Sequence, residues 1–171
     1  MRMAIYRPFP QSVPNKYTIT KLGHPPCRSA CPAEVNAQGY IALIRAGKYK
    51  DALALEREAN PFASVCGRVC NHPCESDCVR REVDESISIA SLKRFVADSG
   101  DYPLAQKKPT GKNIAVIGSG PASLSCAYFL AKKNYQVTVF EAEEVAGGLL
   151  ALAIPEFRLP KDIVKAEVDY I

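Results

Sequence analysis

"NIAVIGSGPASLSCAYFLAKKNYQVTVFEAEEVAGG" occupies residues 113–148. Ile114 to Ile117 is a short apolar run that reads as a buried-type strand. Gly118 and Gly120, followed by Pro121-Ala122-Ser123, turn the chain into a helix carrying Leu124, Ala127, Tyr128 and Leu130. A second strand, "QVTVFE", ends at Glu141. Strand, glycine turn, helix, strand and acid is the order that a dinucleotide site requires. The first glycine permits a tight turn, and the second lets backbone amides of the Gly118-Ser119-Gly120 turn approach a pyrophosphate. The helix N-terminus stabilises phosphate charge, and an acid after the second strand can hold an adenosine ribose hydroxyl. Ser123 stands where a third glycine is usual, a small-for-small exchange. Cys126 falls inside the helix and is expected to serve packing.

Upstream, the stretch "VCGRVCNHPCESDCVR" (65–80) repeats a thiol every fourth residue, at Cys66, Cys70, Cys74 and Cys78. Cys27 and Cys31 stand in "PCRSACP". A C-x3-C spacing admits zinc. It equally admits an iron–sulfur cluster, where thiolates from close turns join a distant cysteine followed by proline, as in Cys31-Pro32. Burial of four small hydrophobes on one helix is the bland alternative. It is weakened because Gly67 and Pro73 interrupt a continuous helix, and because a spacing of four drifts by ~40° per step. His24 and His72 lie near the thiols but are expected beside the site rather than in it.

The chain has 171 residues, 47% of them hydrophobic and 23% charged, with a net charge of +4. That composition argues for a folded domain rather than disorder. Lys107, Lys108 and Lys112 sit in a linker-like stretch, and no aromatic–basic interleaving marks a nucleic-acid platform. The first residues make a poor signal peptide, and the longest apolar run, "LLALAI" at 149–154, is too short to cross a bilayer. A cytoplasmic protein without membrane insertion is expected. Seven cysteines in a reducing compartment point to metal or redox use rather than structural disulfides.

Residues 1–26 form an arm, 27–99 a helical cysteine-rich domain, 100–112 a linker, and 113–171 an incomplete Rossmann-like domain. Ala37, Tyr40, Ile41 and Ile44 share one helical face, and Gly47 is a plausible stop. A second helix runs from Tyr49 towards Ala59 and ends at Asn60-Pro61. Ile89, Leu92, Phe95 and Val96 mark a third.

Six stretches together resemble a known family: "PPCRSACPAEV", "NPFASVCGRVCNHPCESDC", "IASLKRFVAD", "VIGSGPASLSCAYFLA", "VFEAEEVAGGLL" and "IPEFRLPKDIV". The resemblance covers roughly residues 24 to 171. It is to the N-terminal part of the glutamate synthase small (beta) subunit and of dihydropyrimidine dehydrogenase. It implies an α + α/β chain: a small helical iron–sulfur (alpha-helical ferredoxin-like) domain, then the first part of a Rossmann-like FAD-binding domain. It also implies flavin contacts at Gly118, Ser119, Gly120, Pro121, Ala122 and Ser123, at Glu141, at Gly147, Gly148 and Leu149, and at Arg158.

The cysteines depart from the family pattern, whose first two would fall at Ile19 and Leu22. Of the first cluster's ligands, only Cys27 and Cys78 remain. The second keeps Cys31, Cys70 and Cys74, but Lys93 stands at its polar fourth position, and a protonated lysine cannot ligate iron. One [4Fe–4S] cluster is therefore expected rather than two. It would rest on Cys31, Cys70 and Cys74, with a fourth thiolate from Cys27, Cys66 or Cys78. A partner chain completing a second cluster is the alternative.

The resemblance implies an NAD(P)H-dependent oxidoreductase module that passes electrons between FAD and a cluster to a partner. No residue reads as a general acid or base. The NAD(P)H site is expected in a missing remainder, because the sequence shows too few strands for a complete doubly wound fold. The chain thus reads as a fragment or one piece of a split flavoprotein, inactive alone, with that remainder or a redox subunit as partner. Two other readings stand: a related flavin subunit of a ferredoxin- or heterodisulfide-reductase-type complex, and a non-catalytic iron–sulfur or zinc interaction module.

Overall fold

A computed structural model describes residues 23–99 and 111–171, and the backbone of two short strands, β1 (Arg7–Pro8) and β2 (Tyr17–Thr18), which pair antiparallel. The remainder of the expected arm, with Ile19 and Leu22, and residues 100–110 of the expected linker lie outside the described residues.

The first part is helical: α1 (Pro26–Ser29), α2 (Ala37–Arg45), α3 (Tyr49–Arg57), α4 (Ala63–Val69), α5 (Pro73–Ser76), a 3-10 turn at Val79–Glu82, and α6 (Ile89–Asp98). The apolar face of α2 follows the sequence pattern, with Ala37 and Tyr40 buried and Ile41 and Ile44 packed against the same core. Gly47 ends it at φ +72. The Gly47 and Lys48 amides donate to the carbonyls of Ile44 and Leu43, both at 2.9 Å, which satisfies two orphan acceptors of the last turn. Helix α3 stops short of Asn60-Pro61. On α6, Ile89 and Val96 are buried, whereas Phe95 is 47% exposed and meets the Tyr49 ring edge-on.

Gly67 does not interrupt a helix; it lies inside α4. A Cβ there would sit 2.8 Å from the Arg94 Cα, so this glycine exists for close approach of α4 to α6. The break in the cysteine run comes later. Cys70 is extended, His72 takes a left-handed φ of 43, and Pro73 opens α5.

The second part begins a parallel β-α-β unit: β3 (Asn113–Ile117), α7 (Pro121–Lys132) and β4 (Gln136–Phe140), followed by α8 (Leu149–Leu152) and α9 (Lys161–Tyr170). The register runs from Asn113 opposite Gln136 to Ile117 opposite Phe140. Among the described residues each strand has one neighbour, so the buried-type expectation for Ile114–Ile117 holds only for Val116. Ile117 is 77% exposed. Cys126 also departs from expectation: it lies on the exposed side of α7, away from the buried Leu124, Ala127 and Tyr128. No described helix is long and apolar enough to cross a membrane.

Two apolar cores share α4. The first gathers Val35, Tyr40, Leu53, Ala63, Ile89 and Val96. The second gathers Phe62 and Val65 with Leu124, Leu150, Leu159 and Val164 from the second part. Polar contacts reinforce this seam. The buried Glu167 carboxylate on α9 accepts the Ser64 amide at 2.8 Å and the Val65 amide at 3.1 Å, capping α4 from across the junction. The Tyr128 hydroxyl donates to the Arg57 carbonyl at 2.7 Å. The Arg57 guanidinium covers the Tyr170 ring at 3.7 Å and approaches Glu167 at 3.8 Å.

Replacing Glu167 by Ala strands two buried amides and leaves Arg57 without its carboxylate. Urea unfolding should show a loss of about 2–4 kcal/mol, the range for removing a charged acceptor from buried donors. Glu167→Gln, which keeps one acceptor oxygen, should lose less. An unchanged midpoint in Glu167→Ala would show that the cap contributes nothing.

Candidate cofactor sites

At the glycine turn, Gly118 has φ +84 and its amide donates to the Phe140 carbonyl at 2.7 Å, pinning the turn to the end of β4. Gly120 is ordinary in φ, at −67, and an added Cβ would meet nothing within 4 Å. Nothing inside the protein requires glycine at 120; the space a side chain would take is the approach to the α7 N-terminus. That terminus has Pro at its first position and no side-chain cap, so its early amides are available to an anion.

The structure gathers three of the resemblance-derived elements here. Gly148 packs so closely on the turn that its Cβ would lie 2.8 Å from the Gly120 Cα, and the Gly147 amide donates to Ser119 Oγ at 3.0 Å. Leu149 is 71% exposed beside them. Glu141 is fully engaged by the chain. Its Oε2 accepts the Ser119 amide at 2.6 Å and the Ser119 hydroxyl, while its Oε1 accepts the amides of Ala142 at 2.8 Å and Glu143 at 3.0 Å. These donors, the Ser119 hydroxyl first, hold the Glu141 carboxyl down at about 2. Pro121, Ala122 and Ser123 form the first turn of α7, and the Ser123 hydroxyl donates to the Ile117 carbonyl at 3.3 Å.

Arg158 stands elsewhere. It lines a cavity of about 610 Å³ with Cys70, Gly67, Arg68, Arg94 and Phe95. A ligand that reached from the turn to Arg158 would therefore end against the cysteine domain. Arg68 is anchored there, donating to Asp98 Oδ1 at 2.8 Å and to the Ser64 carbonyl at 3.1 Å.

The six upstream thiols are all free. Cys27 lies in α1 and Cys31 follows it; Cys66 lies in α4, Cys70 caps that helix, Cys74 lies in α5, and Cys78 precedes the 3-10 turn. Cys27, Cys31 and Cys74 pack on the first core and Cys66 on the second. Among the described residues no three His, Cys, Asp or Glu side chains stand close enough together to hold an ion as they are. They nevertheless lie within one another's electrostatic reach. Burial pushes the Cys27 thiol up, and Cys66 and Cys74 each to about 11. Cys78 and Cys31 push the Cys27 thiol up as well, while Cys31 and Cys70 push Cys74 up and Lys93 pulls it down. Free thiols at the ends of short helices, half-buried beside a cation, suit a soft metal centre that supplies the charge needed to deprotonate them. The donor set fits an iron–sulfur cluster in kind. His72 is half-exposed, with Nδ1 3.2 Å from Glu75, and its amide donates to Cys70 Sγ at 3.3 Å.

The bridging role of Ser119, and Glu56 altogether, are missing from the sequence reading. Ser119 is 1% exposed and joins the turn, Glu141 and Gly147, a role that a turn residue of its type does not announce. Glu56 is fully buried on α3; burial pushes its carboxyl up to about 7, against the opposing pull of Lys93 and Asn60. The signal for Glu56 was present: it falls four and three residues after the core residues Ala52 and Leu53, on the inward face.

Residues 20–102 match the dihydropyrimidine dehydrogenase domain II, 4Fe-4S cluster family, and residues 116–159 match the NAD(P)-binding Rossmann-like domain family. The chain is 43% identical over 172 residues to the NADP(+)-dependent formate dehydrogenase subunit beta of Moorella thermoacetica, covering 85% of this chain and 24% of that protein. It is 39% identical over 164 residues to the NADPH-Fe(3+) oxidoreductase subunit beta of Geobacter sulfurreducens, covering 92% and 24%. With the glutamate synthase [NADPH] small chain of Bacillus subtilis the identity is 38% over 145 residues, covering 82% and 29%. The chain thus spans about a quarter of the length of these curated relatives.

Glu141 links its turn to pH in a defined direction. Its folded carboxyl lies near 2 against an ordinary 4.5, so the stabilisation is present above about 4.5 and is lost as pH falls towards 2. The stability difference between the native chain and Glu141→Gln, followed by urea unfolding, should shrink across that window. A difference independent of pH would show that the ionised carboxylate is not what holds the turn.

Proposed function

We propose, for a chain that belongs to the family joining the 4Fe-4S domain II of dihydropyrimidine dehydrogenase to the start of an NAD(P)-binding Rossmann-like domain, an electron-transfer role. In this reading it holds one [4Fe–4S] cluster and the adenosine end of FAD within an NAD(P)H oxidoreductase. The observation that supports it most is that the Arg158 side of the Rossmann start and the thiol side share a single cavity, with Cys70 in its wall. A flavin and a cluster, when bound, supply the conversion between two-electron hydride chemistry and one-electron steps.

The residues of the chain bind and orient. The amides at the start of α7 would take the pyrophosphate, with Gly120 open to admit it. Gly147 and Gly148 brace the turn from behind. A ribose hydroxyl donating to Glu141 must replace one of its four present donors; the Ser119 hydroxyl, free to rotate, is the replaceable one. The relatives' names include NADP(+) or NADPH and describe those proteins as a subunit beta or a small chain. By extension, we assign this chain's assembly an NAD(P)H donor and a redox subunit as electron acceptor.

The test is an optical spectrum of the anaerobically purified chain before and after dithionite, with iron, sulfide and zinc measured on the same sample. Broad absorption that bleaches, with iron and sulfide present, is expected. Cys70→Ser and Cys74→Ser should each lose that absorption. Intact iron in both variants, or zinc in place of iron in the native chain, would sink the reading.

A further inference from the structure

An ionised carboxylate offers about four acceptor positions, and donors of the chain itself fill those of Glu141. They are the amides of Ser119 at 2.6 Å, Ala142 at 2.8 Å and Glu143 at 3.0 Å, and the Ser119 hydroxyl. That hydroxyl is engaged on its other side as well, where its oxygen accepts the Gly147 amide at 3.0 Å. Glu141 is exposed, whereas Ser119 is 1% exposed. One buried hydroxyl thus joins an exposed carboxylate at the end of β4 to the loop whose Gly148 packs on Gly120.

A ligand hydroxyl that reaches Glu141 must displace one of these donors. Three are backbone amides, held by the glycine turn and by the two residues that follow Glu141. The fourth is a proton that turns about the Ser119 Cβ–Oγ bond. Once displaced, the hydroxyl keeps the Gly147 amide, and its proton can turn to the oxygen of the incoming hydroxyl. A charge-assisted bond inside the protein is then exchanged for one between protein and ligand, with a neutral bond added. A ligand that lacks the hydroxyl leaves Ser119 on Glu141, and no acceptor is stranded.

We propose that Ser119 is a specificity-determining residue of this turn: its hydroxyl competes with a ribose hydroxyl for Glu141 and so limits how strongly the turn prefers a ribose. The inference rests on the reading of the turn as the seat of an adenosine dinucleotide and adds to it a residue that sets its selectivity. The same exchange leaves Gly147 anchored whichever hydroxyl Glu141 holds, so recognition of the sugar does not loosen the loop behind the turn.

The test is isothermal titration calorimetry on the full chain, with adenosine diphosphate and 2′,3′-dideoxyadenosine diphosphate as probes. Both carry the adenine and the pyrophosphate, so the ratio of their affinities isolates the ribose hydroxyls. The native chain should prefer the ribose probe by about fivefold, the worth of one neutral hydrogen bond. Ser119→Ala should widen that ratio by about tenfold, because the ribose hydroxyl then gains a charged acceptor without displacing a donor. A merely structural role, such as loss of the Gly147 anchor, weakens both probes alike and leaves the ratio where it was. Ser119→Cys, whose thiol is a weak donor, should fall between the two and decides the matter should Ser119→Ala fail to fold. Glu141→Gln should shrink the ratio and remove the effect of Ser119→Ala. A ratio unchanged in both Ser119 variants would overturn the competition and leave the turn standing as a nucleotide site. A native chain that binds neither probe would overturn the dinucleotide reading and this inference with it.

Discussion

The placement of every candidate site depends on a carboxylate capping a helix that belongs to another part of the chain. Helix α4 starts with amides that its own preceding residue, Phe62, cannot satisfy, because a phenyl ring carries no acceptor. Glu167, a hundred residues later, supplies both oxygens to Ser64 and Val65. Charge at that spot complements the positive end of α4, and the same carboxylate draws Arg57 against Tyr170. The cap therefore orients α4, and α4 carries Cys66 and ends at Cys70. On the other side, α9 brings Val164 into the second core, where Val164 also crowds the space above Gly147. The turn and the thiols are held in a common frame by a contact that neither contains.

Much of the fold was legible in the residues. The period of Ala37, Tyr40, Ile41 and Ile44 placed α2, Gly47 ended it, and the order of strand, glycine turn and helix placed the β-α-β unit. The failures share a cause: local signals ignore the neighbour. Gly67 looks like a breaker until Arg94 is seen pressing on it. Ile117 looks buried because apolar runs usually are, yet burial depends on strands beside it. Cys126 and Phe95 sit within apolar helical patterns whose buried side is set by what each helix packs on.

The site was legible to a different depth in its two halves. A glycine turn is a contiguous motif, so Gly118 to Ser123 and Glu141 could be named from one stretch, and Gly147 and Gly148 from resemblance. What could not be read was that Glu141 is already saturated by Ser119 and two following amides. The thiols come from four short elements, and their grouping depends on how α1, α5 and α6 meet. Lys93 illustrates the limit. Along the chain it is one of many cations, and its meaning comes from being buried 3.6 Å from Glu56.

Because α4 forms a wall of both cores, it has no private way to open. Its amides can reach solvent only if Ala63 leaves the first core, Val65 leaves the second and Glu167 lets go, all in one event. In the language of hydrogen exchange, the start of the helix is expected to open together with both cores rather than by a local fluctuation. The cysteine domain and the Rossmann start are therefore a single foldon at their junction, and protection factors measured along Val65 to Val69 register the integrity of both.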